Sequence, residues 1–160
     1  MRYARIADAY EKIEATTKRL EMTDYLVDFL KQTPKDLIDK VVYLTQGKLY
    51  PDFVGIEIGV AEKLAVRAVA KATGHSEKEI EEDMKKAGDL GETAQKFLGK
   101  RAQVVLFQEP LTVQKVYETL DKMAKATGPG SMDLKINLLA GLLTSATPKE
   151  AKYLIRTVTG

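Results

Sequence analysis

Thr147-Pro148-Lys149-Glu150-Ala151-Lys152-Tyr153-Leu154-Ile155-Arg156-Thr157-Val158-Thr159-Gly160 spells a helix from cap to stop. Thr147 stands at the N-cap, Pro148 at the first helical position, and Glu150 completes a capping box. Ala151, Leu154, Ile155 and Val158 then recur at i, i+3, i+4 and i+7, an apolar stripe that needs a core to lie against. Gly160 is a stop signal.

The same pattern runs back through the chain. Ile6, Tyr10, Ile13 and Leu20 predict a first helix over about 3–20, and Tyr25, Leu26, Phe29 and Leu30 a second. Thr33-Pro34-Lys35-Asp36 reads as the start of a third, with Thr33 as cap and Pro34 at the first helical position. It carries Leu37, Val41 and Leu44 and stops near Gly47. Residues 48–58 have no clear period and read as loop. Val60 to Val69 fill an apolar helix closed by Gly74, and Ser76-x-x-Glu79 caps the next. Gly88-Asp89-Leu90-Gly91 opens a short helix near 91–98. One helix is expected after Thr112 and another capped by Ser131. Residues 103–107, Gln-Val-Val-Leu-Phe, are the single strand-like run. No alternation of strands and helices appears, which argues against a Rossmann or P-loop fold.

The 160 residues are 44% hydrophobic and 30% charged, a globular composition with enough chain for one domain. No apolar run approaches the roughly 20 residues of a membrane helix. The charged N-terminal residues do not suggest a signal peptide. With no Cys, disulfides, thiolate metal sites and cysteine nucleophiles are excluded. His75 is the only histidine and lies between Gly74 and the Ser76 cap, a loop position rather than that of a base. Neither Lys-x-Asp-Gly nor Gly-x-x-x-x-Gly-Lys-[Ser/Thr] occurs. Net charge is +2 overall, but residues 1–92 sum to −3 and residues 93–160 to +5. That asymmetry fits an anionic partner, or simply solvated lysines on helices.

The chain also repeats itself. Tyr10-Glu11-x-Ile13-Glu14 matches Tyr117-Glu118-x-Leu120-Asp121, and Thr33-Pro34-Lys35-Asp36 matches Thr147-Pro148-Lys149-Glu150. The expected fold is therefore all-α: a compact multi-helix domain over 1–160 with an internal pseudo-two-fold repeat, copies at about 3–47 and 110–160. Matched loops on such a body suit the locally two-fold backbone of a duplex; packing alone would equally keep the repeat. Two glycine-rich helix entrances, Gly88 to Gly91 and Gly128 to Ser131, can aim backbone N–H groups at phosphate, with Lys135 and Lys96 adding charge. Aromatics do not interleave with basic residues, so stacking on single strands is not signalled.

Tyr10-Glu11-Lys12-Ile13-Glu14, Ile56-Glu57-Ile58-Gly59-Val60, Ala70-Lys71-Ala72-Thr73-Gly74, Gly88-Asp89-Leu90-Gly91-Glu92 and Tyr153 to Gly160 together closely resemble the N-terminal DNA-binding domain of ATP-dependent DNA ligases, nearest the archaeal replicative type. The resemblance implies an all-helical, pseudo-two-fold body that grips the minor-groove side of nicked double-stranded DNA on both sides of the nick. It implies backbone-directed, sequence-independent binding in replication and repair. The expected contacts are Arg19, Gly88, Asp89, Leu90, Gly91, Gly130, Ser131, Lys135, Arg156, Thr157 and Gly160. Ligases of this family continue into an adenylation domain bearing the Lys-x-Asp-Gly lysine and an OB-fold. The chain is therefore expected to be a fragment that does not seal nicks alone. No cofactor is expected for it, since ATP and Mg belong to the full-length enzyme. Archaeal members carry a Gln-x-x-aromatic-aromatic motif for the sliding clamp (PCNA). Here Gln103, Leu106 and Phe107 occupy it, with Leu106 replacing an aromatic. Clamp docking by a helical interaction module is the alternative function. A monomer, without membrane association, is expected in the cytoplasm of an archaeon or the nucleus of a eukaryote.

Overall fold

A computed structural model describes residues 1–100 and 109–160. Among these residues the chain forms nine α-helices: α1 (Tyr3–Glu14), α2 (Arg19–Lys31), α3 (Ile38–Thr45), α4 (Glu62–Thr73), α5 (Glu77–Ala87), α6 (Leu90–Gly99), α7 (Val113–Lys125), α8 (Ser131–Ser145) and α9 (Pro148–Thr159). A single 3-10 turn, Asp52–Val54, interrupts the loop before α4. The all-α expectation holds. The strand-like run at 103–107 lies outside the described residues.

The decisive stretch folds as its letters specify. Thr147 Oγ1 accepts from the Glu150 N–H at 3.2 Å, and the Glu150 carboxylate accepts from the Thr147 N–H at 2.9 Å. Glu150 is buried, yet its charge is met by the helix start it caps. Leu154, Ile155 and Val158 of α9 are buried in the same core as Leu64, Val66 and Val69 of α4 and Leu139 and Leu143 of α8. α9 lies against α6, α1 and α4, while α8 lies against α4 and α7.

The matching letters at Thr33 do something else. α2 runs to Lys31, so Thr33 meets a last-turn carbonyl before it can cap anything: its hydroxyl donates back to the Phe29 oxygen at 2.9 Å. Pro34 sits in a turn closed by the Leu37 N–H, and α3 begins only at Ile38. The first helix is likewise shorter than expected. It ends at Glu14, and Thr16 accepts from the Lys18 N–H and donates to Glu21 at 2.5 Å. The Thr16 hydroxyl takes the Lys18 N–H outside the helical ladder, where the helix ends. Leu20, expected on the inner stripe of that helix, instead lies on α2 and is 81% exposed. Ser131 is the first residue of α8 rather than its cap; that place belongs to Gly130 at φ 80°.

α6 and α9 cross at Gly91, which is buried. A Cβ there would lie 2.8 Å from the Lys152 carbonyl oxygen and 2.9 Å from Arg156 Cγ. Gly91→Ala is therefore expected to destabilise the fold by about 1–3 kcal/mol through overpacking. Gly141, inside α8, has open space around its Cβ position. Gly141→Ala is expected to stabilise by about 0.5–1 kcal/mol through helix propensity. Urea denaturation of the two variants followed by circular dichroism should move the midpoint in opposite directions.

Candidate nucleic-acid interface

Arg156 stands in the last turn of α9, facing the start of α6 and the end of α1. Its Nε donates to Asp89 Oδ2 at 2.9 Å, and one terminal nitrogen pairs with the same oxygen at 2.8 Å. The other terminal nitrogen donates to Glu14 Oε1 at 2.7 Å. Lys152 adds a contact to Glu14 at 3.5 Å, and Glu92 approaches Arg156 at 3.8 Å. The Tyr153 hydroxyl donates to Glu14 Oε2 at 2.5 Å. Hydrogen bonds from Tyr153 and Arg156 hold the Glu14 carboxyl down to about 2. Burial, then the hydrogen bond to Glu14, pushes the Tyr153 phenol up. Arg156, expected to meet phosphate, is thus already engaged by carboxylates, and the cluster carries three acids to two cations.

The two glycine-rich entrances differ. At α6, Asp89 is the N-cap and accepts from the Gly91 N–H at 3.3 Å and the Glu92 N–H at 3.2 Å. Gly88 supplies the left-handed turn at φ 77°, Leu90 is buried, and Gly91 is taken up by packing against α9. These amides are occupied from within. At α8 no side chain caps the first turn. Gly128 and Gly130 both have positive φ, 83° and 80°, and the Ser131 N–H reaches only the Gly128 oxygen at 3.2 Å. Lys135 has no ion-pair partner among the described residues, whereas Lys96 is bonded to Asp83 at 2.6 Å. Arg19, the first residue of α2, is exposed and also without an ion pair among the described residues.

Thr157 and Gly160 line a cleft of about 500 Å³ with Tyr10, Glu14, Gly47 and Arg156. A neighbouring cleft of about 370 Å³ shares Gln46, Gly47, Thr157 and Gly160 and continues to Lys48 and Tyr50. The end of α9 and the end of α3 therefore meet. The structure brings Asp89, Gly91 and Arg156 into one cluster and places Thr157 and Gly160 beside it. Gln103, Leu106 and Phe107 lie outside the described residues.

Sequence reasoning missed the tyrosines and carboxylates. Tyr10 packs edge-on to Tyr153, and Tyr117 edge-on to Tyr50. The signal was present in the repeated Tyr-x-x-x-acid spacing, which puts Glu14 and Asp121 one helical turn from their tyrosines.

The family model for the DNA ligase N terminus matches residues 2–160. The chain belongs to the DNA ligase N-terminal family. It is 52% identical over 165 residues to DNA ligase 2 of Thermofilum pendens, covering 99% of this chain and 28% of that protein. It is 48% identical over 160 residues to the DNA ligase of Nitrosopumilus maritimus, covering 100% of this chain and 27% of that protein. With the DNA ligase of Thermococcus onnurineus the identity is 45%, again over 100% of this chain and 28% of the relative. The chain thus spans little more than a quarter of the length of these ligases and corresponds to their N-terminal region, apart from the catalytic domains. Among the described residues no three His, Asp or Glu side chains converge as metal ligands. No helix among them is long and apolar enough to cross a membrane.

Glu14 makes the charge cluster pH-sensitive. Its folded pKa lies below the unfolded value, so its stabilisation is present above about pH 4.5 and is lost as pH falls toward 2. The group is partly exposed, and solvent screening limits the contribution to about 1 kcal/mol. Glu14→Gln should therefore melt below the parent chain at pH 7, and the gap should close between pH 4.5 and 2.5 in calorimetric scans.

Proposed function

We propose that this chain holds nicked double-stranded DNA by its backbone, without regard to sequence, and positions it for ATP-dependent sealing by the catalytic parts of a longer ligase. Membership of the DNA ligase N-terminal family supports the DNA role. The observation that carries the mode of binding is the start of α8: a glycine-flanked helix entrance with no side-chain cap, with Lys135 one turn in and unpaired among the described residues. Free N–H groups and a positive dipole end suit phosphate. Direct phosphate contacts are assigned to Arg19, Gly130, Ser131 and Lys135. Gly88, Asp89, Leu90, Gly91, Arg156, Thr157 and Gly160 form the stretch alongside, where carboxylates already hold the cation.

Three features support a two-fold arrangement of such contacts. α1 packs on α9, and α7 packs on α3, so the first helix of each expected copy lies on the last helix of the other. The residues entering α1 and α7 form an antiparallel bridge between Arg2 and Thr112, an arrangement with its own local two-fold axis. The Tyr3 N–H donates to the Leu111 oxygen and the Val113 N–H to the Met1 oxygen, each at 2.9 Å. We further propose that the chain acts as a monomer. Sliding-clamp docking through Gln103, Leu106 and Phe107 is kept as a second proposal, carried by their spacing in the sequence.

Arg19→Ala and Lys135→Ala should each weaken binding of nicked duplex equally on unrelated sequences and lower the salt slope by about one. Their losses should add, since the two residues share no partner. Fluorescence anisotropy across a salt series reads both quantities. Losses that depend on base sequence, or slopes that do not change, would contradict the proposal.

A further inference from the structure

Two side-chain clusters away from the α8 entrance carry the same parts. In the first, the Tyr10 and Tyr153 rings meet edge-on at 5.7 Å, and the Tyr153 hydroxyl donates to Glu14. Lys152 and Arg156 lie over the Tyr153 ring at 5.4 and 5.7 Å, and both pair with Glu14. In the second, the Tyr117 and Tyr50 rings meet edge-on at 6.5 Å, and the Tyr50 hydroxyl donates to Asp121 at 2.7 Å. Lys125 lies 5.4 Å over the Tyr50 ring and 3.0 Å from Asp121. In each cluster one carboxylate, four residues after the first tyrosine, holds a tyrosine hydroxyl and a cation together.

Charge-assisted bonds of this kind are strong and directional. A phosphate that approaches Arg156, Lys152 or Lys125 must displace a carboxylate that is also hydrogen-bonded to a tyrosine. The cation's charge is then already offset where the phosphate needs it. We infer that Glu14 and Asp121 are paired positioning residues that hold these cations on their tyrosines and set the chain's affinity for duplex DNA below what its cations alone would give. The inference rests on the duplex-binding reading above. It differs from a general effect of negative charge, and the repeat supplies the controls. Glu11 and Glu118 each follow the first tyrosine by one residue. Glu11 binds Lys149 at 3.1 Å, but Asp8 holds the same ammonium at 3.1 Å, and Glu118 has no ion pair among the described residues. Neutralising either removes one negative charge and frees no cation, whereas neutralising Glu14 frees Lys152, with Arg156 still held by Asp89, and neutralising Asp121 frees Lys125.

The test is anisotropy of nicked duplex with the whole chain across a salt series, with helical circular dichroism as the folding check. Glu14→Gln and Asp121→Asn should each tighten binding about three- to tenfold and steepen the salt slope by about one. Glu11→Gln and Glu118→Gln should tighten it by about twofold or less and leave the slope unchanged. The inference is overturned if the first pair stays helical yet matches the controls or binds more weakly. Should Glu14→Gln lose helicity, Asp121→Asn decides alone. Failure of the duplex-binding reading would be visible in the parent chain, as absence of salt-dependent binding.

Discussion

The close crossing of α6 over α9 at Gly91 is the constraint on which the rest of the structure depends. Because no side chain stands between the helices, the Asp89 cap of α6 comes within reach of Arg156 on α9. Arg156 in turn reaches Glu14 at the end of α1, so three helices are tied at one guanidinium. A lysine would not replace it: the planar fork addresses two carboxylates in different directions at once. The crossing also aligns the buried stripe of α9 with α4, and α4 with α8. The position of the α8 entrance therefore follows from packing that begins at α6.

The same arrangement gives the surface its electrical character. Cations near the α1–α6–α9 junction are matched or outnumbered by acids, while half-buried Lys135 at α8 and exposed Arg19 at α2 have no ion pair among the described residues. On the proposed mode of binding, a polyanion is drawn first to the α8 and α2 ends. Balanced charge keeps contact weak and exchangeable, which suits the sequence-independent holding proposed for this chain.

Much of this was legible in the letters. The capping box, Pro148 and the stripe of Ala151 to Val158 specify α9 without help from the rest of the chain, because every determinant is local. Thr33-Pro34-Lys35-Asp36 carries nearly the same letters and fails as a cap, because α2 extends far enough to offer Thr33 a carbonyl first. The break at Thr16 also turned on competition between side-chain and backbone hydrogen bonds, which periodicity does not register. The Gly88 to Gly91 entrance was recognisable as a helix start. That Asp89 itself satisfies its amides is local, but that its glycine is taken up by α9 depends on residues more than sixty positions away. Glu14 and Asp121 were in view as marks of the repeat, but their tyrosine partners, Tyr153 and Tyr50, lie far off in the chain.

In the proposed mode of binding, both halves of the chain touch the backbone of one duplex. Hydroxyl-radical footprinting of a nicked duplex addresses it most directly, since cleavage reports sugar and backbone accessibility at each nucleotide. Protection should flank the nick on both sides, in the same pattern on unrelated sequences. Protection confined to one side, or a pattern that moves with base sequence, would contradict it.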